Sequence, residues 1–200
     1  MLEITAPLPL IKSNHRSLGF TLIELMVTLS LLAILTAVAT PSFVSFQRNS
    51  ELTSITNTLI ASLNAARSEA MKRNMNAMVV TANNDKDWSQ GWYVFVDADR
   101  DGAYSASDIT VMSQPALPSY ITISGTNSVI SNPSYIQYDG SGFSKPKSGD
   151  FANSTFKLAR NDTKNTDYNQ SRFIIISVTG RIRVCTPKSA SDPYCNSSSK

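Results

Sequence analysis

The sequence predicts an α+β fold in which a long N-terminal helix packs on a small β-rich C-terminal domain. A run of 21 residues from Phe20 carries a single charge, an apolar stripe at helical spacing follows it to about residue 74, and short strand-like segments fill the rest. The expected domains are a leader at 1–19, a transmembrane or fibre-core helix at 20–46, an amphipathic helix at 47–75, and a β-rich globular domain with a basic C-terminal tail at 76–200.

The apolar run that begins at Phe20 is long enough to cross a bilayer, because about 1.5 Å of rise per residue gives roughly 30 Å. Lys12 and Arg16 precede it and favour a cytoplasmic N-terminus. A cleaved secretory signal has a shorter apolar core and a small-residue cleavage site. A plain anchor avoids a residue such as Glu24, since a carboxylate in the bilayer costs about 2.5–3.5 kcal/mol or more. Pro41 lacks an N–H donor and is expected to kink or loosen the helix.

The segment SLGFTLIELMVTLSLLAIL resembles the class III signal of type IV pilins and pseudopilins. The resemblance implies that a prepilin peptidase cuts after Gly19 and that Phe20, the new N-terminus, is N-methylated. Glu24 matches the family's glutamate, which is thought to pair with the terminal amine of a neighbouring subunit during assembly. In a low dielectric such a pair offsets the cost of burying both charges. The mature chain then lacks histidine, since His15 leaves with the leader, and we expect no zinc site, no cofactor and no enzymatic activity.

The resemblance also implies a location and a set of partners. We expect a single-pass inner-membrane protein with a periplasmic C-terminal domain, which later joins the pilus at the cell surface. Its expected partners are the prepilin peptidase, other major and minor pilins, and the inner membrane before assembly.

The helical pattern continues past Pro41 and ends near residue 74, with its apolar stripe at Leu52, Ile55, Leu59, Leu63, Ala66 and Ala70. Polar loops are expected around 83–90, 140–150 and 161–171. Strands are predicted at 77–82, 92–97, 109–114, 120–124, 135–139, 154–160, 173–178 and 181–185.

The segments SLNAARSEAMKRNMNAMVV and GWYVFVDADRDG resemble the GspH/FimT family of minor pilins and pseudopilins. With the N-terminal signal, the resemblance covers most of residues 16–105, and the FimT branch is the most similar. Residues of the second segment that match the family are Gly91, Trp92, Phe95, Asp97 and Gly102.

Charge is unevenly distributed along the chain. Residues 141–200 hold ten Lys or Arg against four Asp, whereas residues 81–140 hold seven Asp against two basic residues. A basic C-terminal third favours an anionic partner, although a mixed solvated surface is the commoner explanation. Cys185 and Cys195 lie close together near the C-terminus, and in an exported chain such a pair is expected to form a disulfide.

The segment GRIRVC places Arg181 and Arg183 on one face of a strand, where paired guanidinium groups suit phosphates. Lys188 and Lys200 extend the basic strip, and Tyr194 is placed to stack on a base. Composition alone favours an amphipathic edge strand with solvated arginines. The segment is, however, similar to the Gly-Arg-x-Arg element of the FimT branch, which is linked to DNA binding in natural transformation. The resemblance therefore implies weak, salt-dependent, non-specific binding of double-stranded DNA.

The segment DADRDGAYSASD fits a calcium-loop pattern, with Asp97, Asp99, Asp101 and Asp108 at positions 1, 3, 5 and 12. It departs from that pattern because Asp replaces the usual Glu at position 12 and the flanks are strands. Asp and Gly are ordinary turn residues, so the interpretation favoured here is a hairpin turn, with calcium as a weak candidate.

These observations predict a minor type IV pilin that assembles into or primes a pilus and binds DNA for uptake. Two alternatives stay open: a type II secretion pseudopilin, and a purely structural minor pilin without DNA binding.

Overall fold

A single helix, α1 (Leu22–Arg73), begins the folded chain and confirms the predicted long N-terminal helix. It passes through Pro41 without interruption, so the expected loosening does not end the helix there. The predicted leader lies outside the described residues except for Gly19. The computed structural model describes residues 19–147, 153–164, 167–189 and 192–195.

The first half of α1, up to Val44, exposes apolar side chains all round its surface. Leu22 is 76% exposed and Leu35 is 67% exposed. By length and composition, α1 is the one helix among the described residues that is suited to cross a membrane. Hydroxyl groups in this stretch donate to backbone carbonyls three or four residues earlier, which suits an apolar medium; they belong to Thr28, Ser30, Thr36 and Thr40.

The second half of α1 belongs to a separate compact unit, residues 45–200. The predicted stripe is confirmed, because its six members are all buried. Ser62 is also buried, and its hydroxyl accepts a 2.9 Å hydrogen bond from the indole N–H of Trp92. The stripe and the inner faces of two sheets together form one core.

In the described part of the chain eight strands follow α1, and they confirm all eight predicted segments to within about two residues at each end. The strands are β1 (Ala77–Thr81), β2 (Trp92–Val96), β3 (Ile109–Gln114), β4 (Ile121–Gly125), β5 (Tyr135–Tyr138), β6 (Ser154–Arg160), β7 (Ser171–Ile176) and β8 (Ile182–Cys185).

The strands form two antiparallel four-stranded sheets. The first has the order β3-β2-β1-β5, and the second has the order β4-β6-β7-β8. Every residue of β1 is buried, because one face of that strand meets the core and the other carries a second cluster of Met78, Val80 and Phe95. In the second sheet β8 is an edge strand, and its side chains are half-buried except for that of Val184, which is exposed.

The polar loop expected at 83–90 is only partly correct. Its end forms a short 3-10 helix, Trp88–Gln90, and Trp88 is fully buried in the core. The Trp88 indole N–H donates to the carbonyl of Val129 at 2.9 Å, and its ring meets Phe156 edge to face. Trp88 therefore adds a large aromatic side chain with a satisfied N–H to the core, whereas the polar residues next to it in the sequence predict a loop.

Candidate nucleic-acid interface

The Gly-Arg-x-Arg segment lies at the turn between β7 and β8. The Gly180 N–H donates to the Ser177 carbonyl at 2.8 Å, and the Ser177 N–H donates to the Arg181 carbonyl at 3.0 Å. The turn therefore closes over three residues, 178–180. Gly180 has φ +75°, the left-handed conformation that a glycine adopts without strain.

Arg67 of α1 ties this turn to the helix. Its Nε donates to the Gly142 carbonyl at 3.0 Å, and its NH2 group donates to the Thr179 carbonyl at 2.9 Å. A Cβ atom on Gly180 would lie 2.1 Å from the Gly142 oxygen and 2.9 Å from the Arg67 Nε. Gly180 is thus required by close packing as well as by φ. Arg67 belongs to the Ala-Arg-Ser-Glu-Ala segment, whose Ala66 and Ala70 are fully buried.

The register of β8 decides where its arginines lie. Ile182 packs against the core, and Val184 pairs with the core residue Ile174, so register places both side chains on the inner face; Val184 is 42% exposed because it lies at the sheet edge. Arg183 pairs with Ile175 on the outer face, and Arg181 is exposed two residues before it. The two arginines therefore lie on the same face, as the alternation of strand residues predicts.

Lys157 is a third basic residue on this outer face, and the sequence interpretation missed it. It lies opposite Phe173, which in turn lies opposite Cys185, and its Nζ is 5.9 Å from the centre of the Phe173 ring. Strand spacing places β6 about 10 Å from β8. Alternation within STFKLAR predicts that Lys157 faces away from Phe156 and Leu158, which are core residues, but it does not show that β6 and β8 share a sheet.

A disulfide joins Cys185 to Cys195, with an S–S distance of 2.07 Å and a Cα–Cα distance of 5.7 Å. It returns the C-terminal segment to the outer face, where a pocket of about 220 Å³ is lined by residues that include Lys157, Phe173 and Cys195. Lys188 is exposed in this segment. Lys200, the other basic residue expected in the strip, lies outside the described residues.

Two further side chains shape the electrostatics and the stacking capacity of this segment. Backbone N–H groups of Lys188 and Tyr194 donate to the Asp192 carboxylate, each at 3.0 Å, and they hold the pKa of that carboxyl below its usual value. Asp192 therefore adds one negative charge beside Lys188. Tyr194 is 77% exposed, which leaves its ring accessible for stacking.

The predicted processing and assembly residues lie at the start of α1. Gly19 and Phe20 are exposed. Glu24 forms a capping box with Thr21: the Thr21 N–H and hydroxyl donate to the Glu24 carboxylate at 3.4 and 3.3 Å, and the Glu24 N–H donates to the Thr21 hydroxyl at 3.3 Å. The Thr-x-x-Glu spacing in FTLIE is the sequence signal of a capping box, and the sequence interpretation did not use it.

The calcium-loop residues are only partly brought together. One carboxylate oxygen each from Asp97, Asp99 and Asp108 lies within 4.8 Å of the others, and Asp101 is not part of this group. The loop joins two neighbouring strands of the first sheet, β2 and β3, as the hairpin interpretation expects.

Comparison with known proteins identifies the family. Residues 56–190 match the family model of the type II transport protein GspH, and residues 14–40 match the prokaryotic N-terminal methylation motif. The motif implies processing by a prepilin peptidase and pilin partners, and it agrees with membrane anchoring through α1. No curated protein matches the chain.

Solved structures of two bacterial proteins are similar to this chain. The chain is similar to the type IV minor pilin FimU of Pseudomonas aeruginosa strain PAO1, with 22% identity, a TM-score of 0.51, and coverage of 72% of this chain and 98% of that one. The minor pseudopilin EpsH from the type 2 secretion system of Vibrio cholerae gives 10% identity, a TM-score of 0.48, and coverage of 70% and 99%. The FimU likeness shows the pilin α+β fold.

The matching family consists of structural pilin-like proteins rather than enzymes, which confirms the expectation that this protein is not an enzyme. The family model covers more than half of the chain. This protein therefore belongs to the family of the type II transport protein GspH, a family of minor pilins and pseudopilins.

Proposed function

We propose that this protein is a minor type IV pilin that assembles into or primes a pilus and binds double-stranded DNA without sequence specificity, for uptake in natural transformation. The observation that carries the DNA part is the outer face of the second sheet, where Arg181 and Arg183 at the edge strand β8 share a face with Lys157 of β6. Before assembly the protein is anchored in the inner membrane with residues 45–200 in the periplasm, and afterwards it lies in the pilus at the cell surface.

Assembly is carried by the N-terminal half of α1. Its apolar side chains are exposed in the single chain, and the removal of such a surface from water is the main driving force for insertion or for fibre packing. Cleavage after Gly19 frees an amine on Phe20. In the fibre that amine pairs with Glu24 of a neighbouring subunit. The Glu24 carboxylate then gives up its capping contact with Thr21 and forms an ion pair instead.

DNA contact is carried by the edge of the second sheet. Guanidinium groups bind phosphates through two parallel hydrogen bonds, and such contacts do not depend on base sequence. Arg67 and the disulfide hold the turn and the following segment in place, so less conformational freedom is lost when DNA binds. Lys188 supplies a further cation, partly offset by Asp192.

One subunit of this kind is expected to bind DNA weakly. Each phosphate contact is electrostatic and is screened by salt. Several copies, or several different minor pilins presented together, raise the effective concentration of binding sites and the overall avidity.

The test compares the affinities of the wild-type protein and of its variants for a labelled DNA duplex at about 50 mM salt. Residues 45–200 contain the whole core and are used in oxidised form. We expect Arg181→Gln/Arg183→Gln to weaken binding about tenfold or more, because two phosphate contacts are lost. We expect Lys157→Gln to weaken it by a smaller factor.

The matched control is Lys86→Gln/Arg100→Gln, which removes the same charge from exposed positions in loops of the first sheet. Because these charges lie outside the proposed interface, their removal alters only the net charge, and we expect this variant to bind within about twofold of the wild type. Equal losses in the two double variants would show that only net charge matters and would reject a defined interface. No binding by the wild type at low salt would reject DNA contact altogether.

A second candidate function is that of a type II secretion pseudopilin, which the description of the matching family model favours. The two functions differ in what the cell loses. Deletion of the gene should abolish pili and DNA uptake under the first proposal, whereas it should block protein secretion and leave pili intact under the second.

A further inference from the structure

A group of three carboxylates lies in the loop between β2 and β3, on the first sheet and away from the proposed DNA-binding strand. One oxygen each from Asp97, Asp99 and Asp108 falls within a span of 4.8 Å. Asp97 is 2% exposed, Asp108 is half-buried and Asp99 is exposed. The group therefore opens to solvent on one side and reaches into the protein on the other.

Asp97 has an unsatisfied buried oxygen. Its Oδ1 atom is buried and has no hydrogen-bond partner. A buried polar atom without a partner loses free energy relative to its hydrated state, and a buried charge loses more. The carboxylates of Asp108 and Asp101 in the same loop repel the Asp97 carboxylate and increase that loss. Among the described residues, no ion pair involves any of the three aspartates.

The loop itself is firmly shaped around this group. Asp108 accepts from the Ala98 N–H at 2.9 Å and from the Ser105 N–H at 2.8 Å. Asp108 also accepts from the Ser105 hydroxyl at 3.2 Å. Asp99 accepts from the Ser107 hydroxyl at 2.6 Å, from the Asp101 N–H at 3.3 Å and from the Ser105 hydroxyl at 3.4 Å. Each ionised carboxylate has about four lone-pair positions, so these bonds leave acceptor capacity on both residues.

An aromatic contact fixes the loop to the sheet. The ring of Tyr104 stacks on Tyr93 at 4.7 Å between ring centres, and its hydroxyl shares a 2.8 Å hydrogen bond with the Thr110 hydroxyl. Gly102 has φ +71°, which permits the sharp turn of the loop between Asp99 and Asp108. The position of the three carboxylates is therefore set by the fold before any ligand arrives.

We propose that Asp97, Asp99 and Asp108 bind a divalent cation, and that the ion is Ca²⁺. All three ligands are carboxylate oxygens, which hard cations prefer over soft or borderline ones. The ion supplies the missing partner of Asp97 and neutralises the mutual repulsion of the group. Ca²⁺ accepts irregular coordination completed by water, whereas Mg²⁺ requires a near-ideal octahedron.

The geometry reduces the candidate ligands from the four aspartates of the sequence pattern to three. Asp101, at position 5 of the calcium-loop pattern, lies outside the group and accepts the Ala103 N–H at 2.7 Å instead. With Asp rather than a longer bidentate Glu at position 12, affinity should lie in the weak range of about 10⁻⁴–10⁻³ M that suits an extracellular module.

The test follows thermal unfolding of the full chain in detergent, stripped of metal and then titrated with CaCl₂ or MgCl₂. Both tryptophans of the chain, Trp88 and Trp92, lie in the core, so their fluorescence reports the folded unit that carries the loop. At a tenfold excess of Ca²⁺ over its dissociation constant, we expect Tm to rise by about 3–6 °C. MgCl₂ should produce a clearly smaller rise.

Two matched variants separate binding from a general effect of charge. Asp99 and Asp85 are both loop aspartates whose Oδ1 accepts the N–H two residues later, at 3.3 and 2.7 Å. We expect Asp99→Asn to lose the Ca²⁺-dependent rise and Asp85→Asn to keep it. Direct Ca²⁺ binding by calorimetry should follow the same order.

Two outcomes would overturn the proposal. One is a wild-type chain whose Tm and calorimetric signal do not change with Ca²⁺. The other is an equal Ca²⁺-dependent rise in Asp99→Asn and Asp85→Asn, which would place the effect elsewhere on the protein.

Discussion

Replacement of Asp162 by asparagine should destabilise residues 45–200 in a pH-dependent manner. Asp162 accepts two hydrogen bonds from the guanidinium of Arg160, at 2.9 and 2.8 Å, and a third from Arg48 at 2.6 Å. The hydrogen bonds from Arg160 are the main cause of a pKa of about 2 for the Asp162 carboxyl, against an ordinary value of 3.8. Arg160 is 7% exposed, so removal of its anionic partner leaves a buried cation.

The lowered pKa sets the expected magnitude. One pKa unit corresponds to about 1.4 kcal/mol, so the ionised Asp162 contributes about 2 kcal/mol of unfolding free energy at neutral pH. Because the folded pKa lies below the unfolded one, this contribution is complete above about pH 5 and falls as the pH approaches 2. At pH 3 about half of it should remain.

The assay is urea unfolding of residues 45–200 at pH 7 and at pH 3, for the wild type and for Asp162→Asn. We expect a difference in unfolding free energy of about 2–3 kcal/mol at pH 7 that falls to near 1 kcal/mol at pH 3. Asp85→Asn, which removes a loop carboxylate bonded to the backbone, serves as the control and should change stability by less than about 1 kcal/mol. A difference for Asp162→Asn that is the same at both pH values would refute the reasoning.

Three further predictions concern the turn and the disulfide. Arg67→Ala removes two hydrogen bonds to backbone carbonyls and should lower the unfolding free energy by about 2 kcal/mol, measured by urea unfolding; no loss would show that these bonds contribute nothing net. Gly180→Ala places a Cβ against the Gly142 carbonyl and should cost more than about 2 kcal/mol, a loss that thermal unfolding would detect. Reduction of the disulfide between Cys185 and Cys195 should lower the unfolding free energy by about 2–3 kcal/mol by the chain-entropy model and should weaken DNA binding. Unchanged affinity after reduction would show that the C-terminal segment does not contribute to the interface.

Periodic patterns made most of the fold predictable. The stripe from Leu52 to Ala70 repeats at helical spacing, and each strand alternates or runs apolar between turn residues, so element type and order were correct. Burial of one face dictates such patterns directly. The boundaries moved by a residue or two, because helix and strand ends depend on local caps that hydrophobic periodicity does not report.

Contacts between distant segments could not be predicted from these patterns. Trp88 lies among polar residues in sequence, yet the core reaches it through Val129. Arg67 is an ordinary helix-surface charge by spacing, and its role depends on two turns more than 70 residues away. The unpaired oxygen of Asp97 likewise depends on how the loop folds.

The candidate interface was predicted in part. Strand alternation placed Arg181 and Arg183 together, and the register of β8 agrees with that placement. Lys157 was missed because it joins the same face only through two strand pairings. Strand order in a sheet follows from long-range packing, which a single sequence does not state.

The central claim is tested most directly by the slope of log K against log salt for oxidised residues 45–200 on duplex DNA. Contact with three or four phosphates predicts a slope of about −3 to −4 for the wild type, and Arg181→Gln/Arg183→Gln should reduce its magnitude by about 2. A slope near zero for the wild type, or the same slope for both proteins, would contradict a DNA interface at this strand and would favour a purely structural pilin or a pseudopilin.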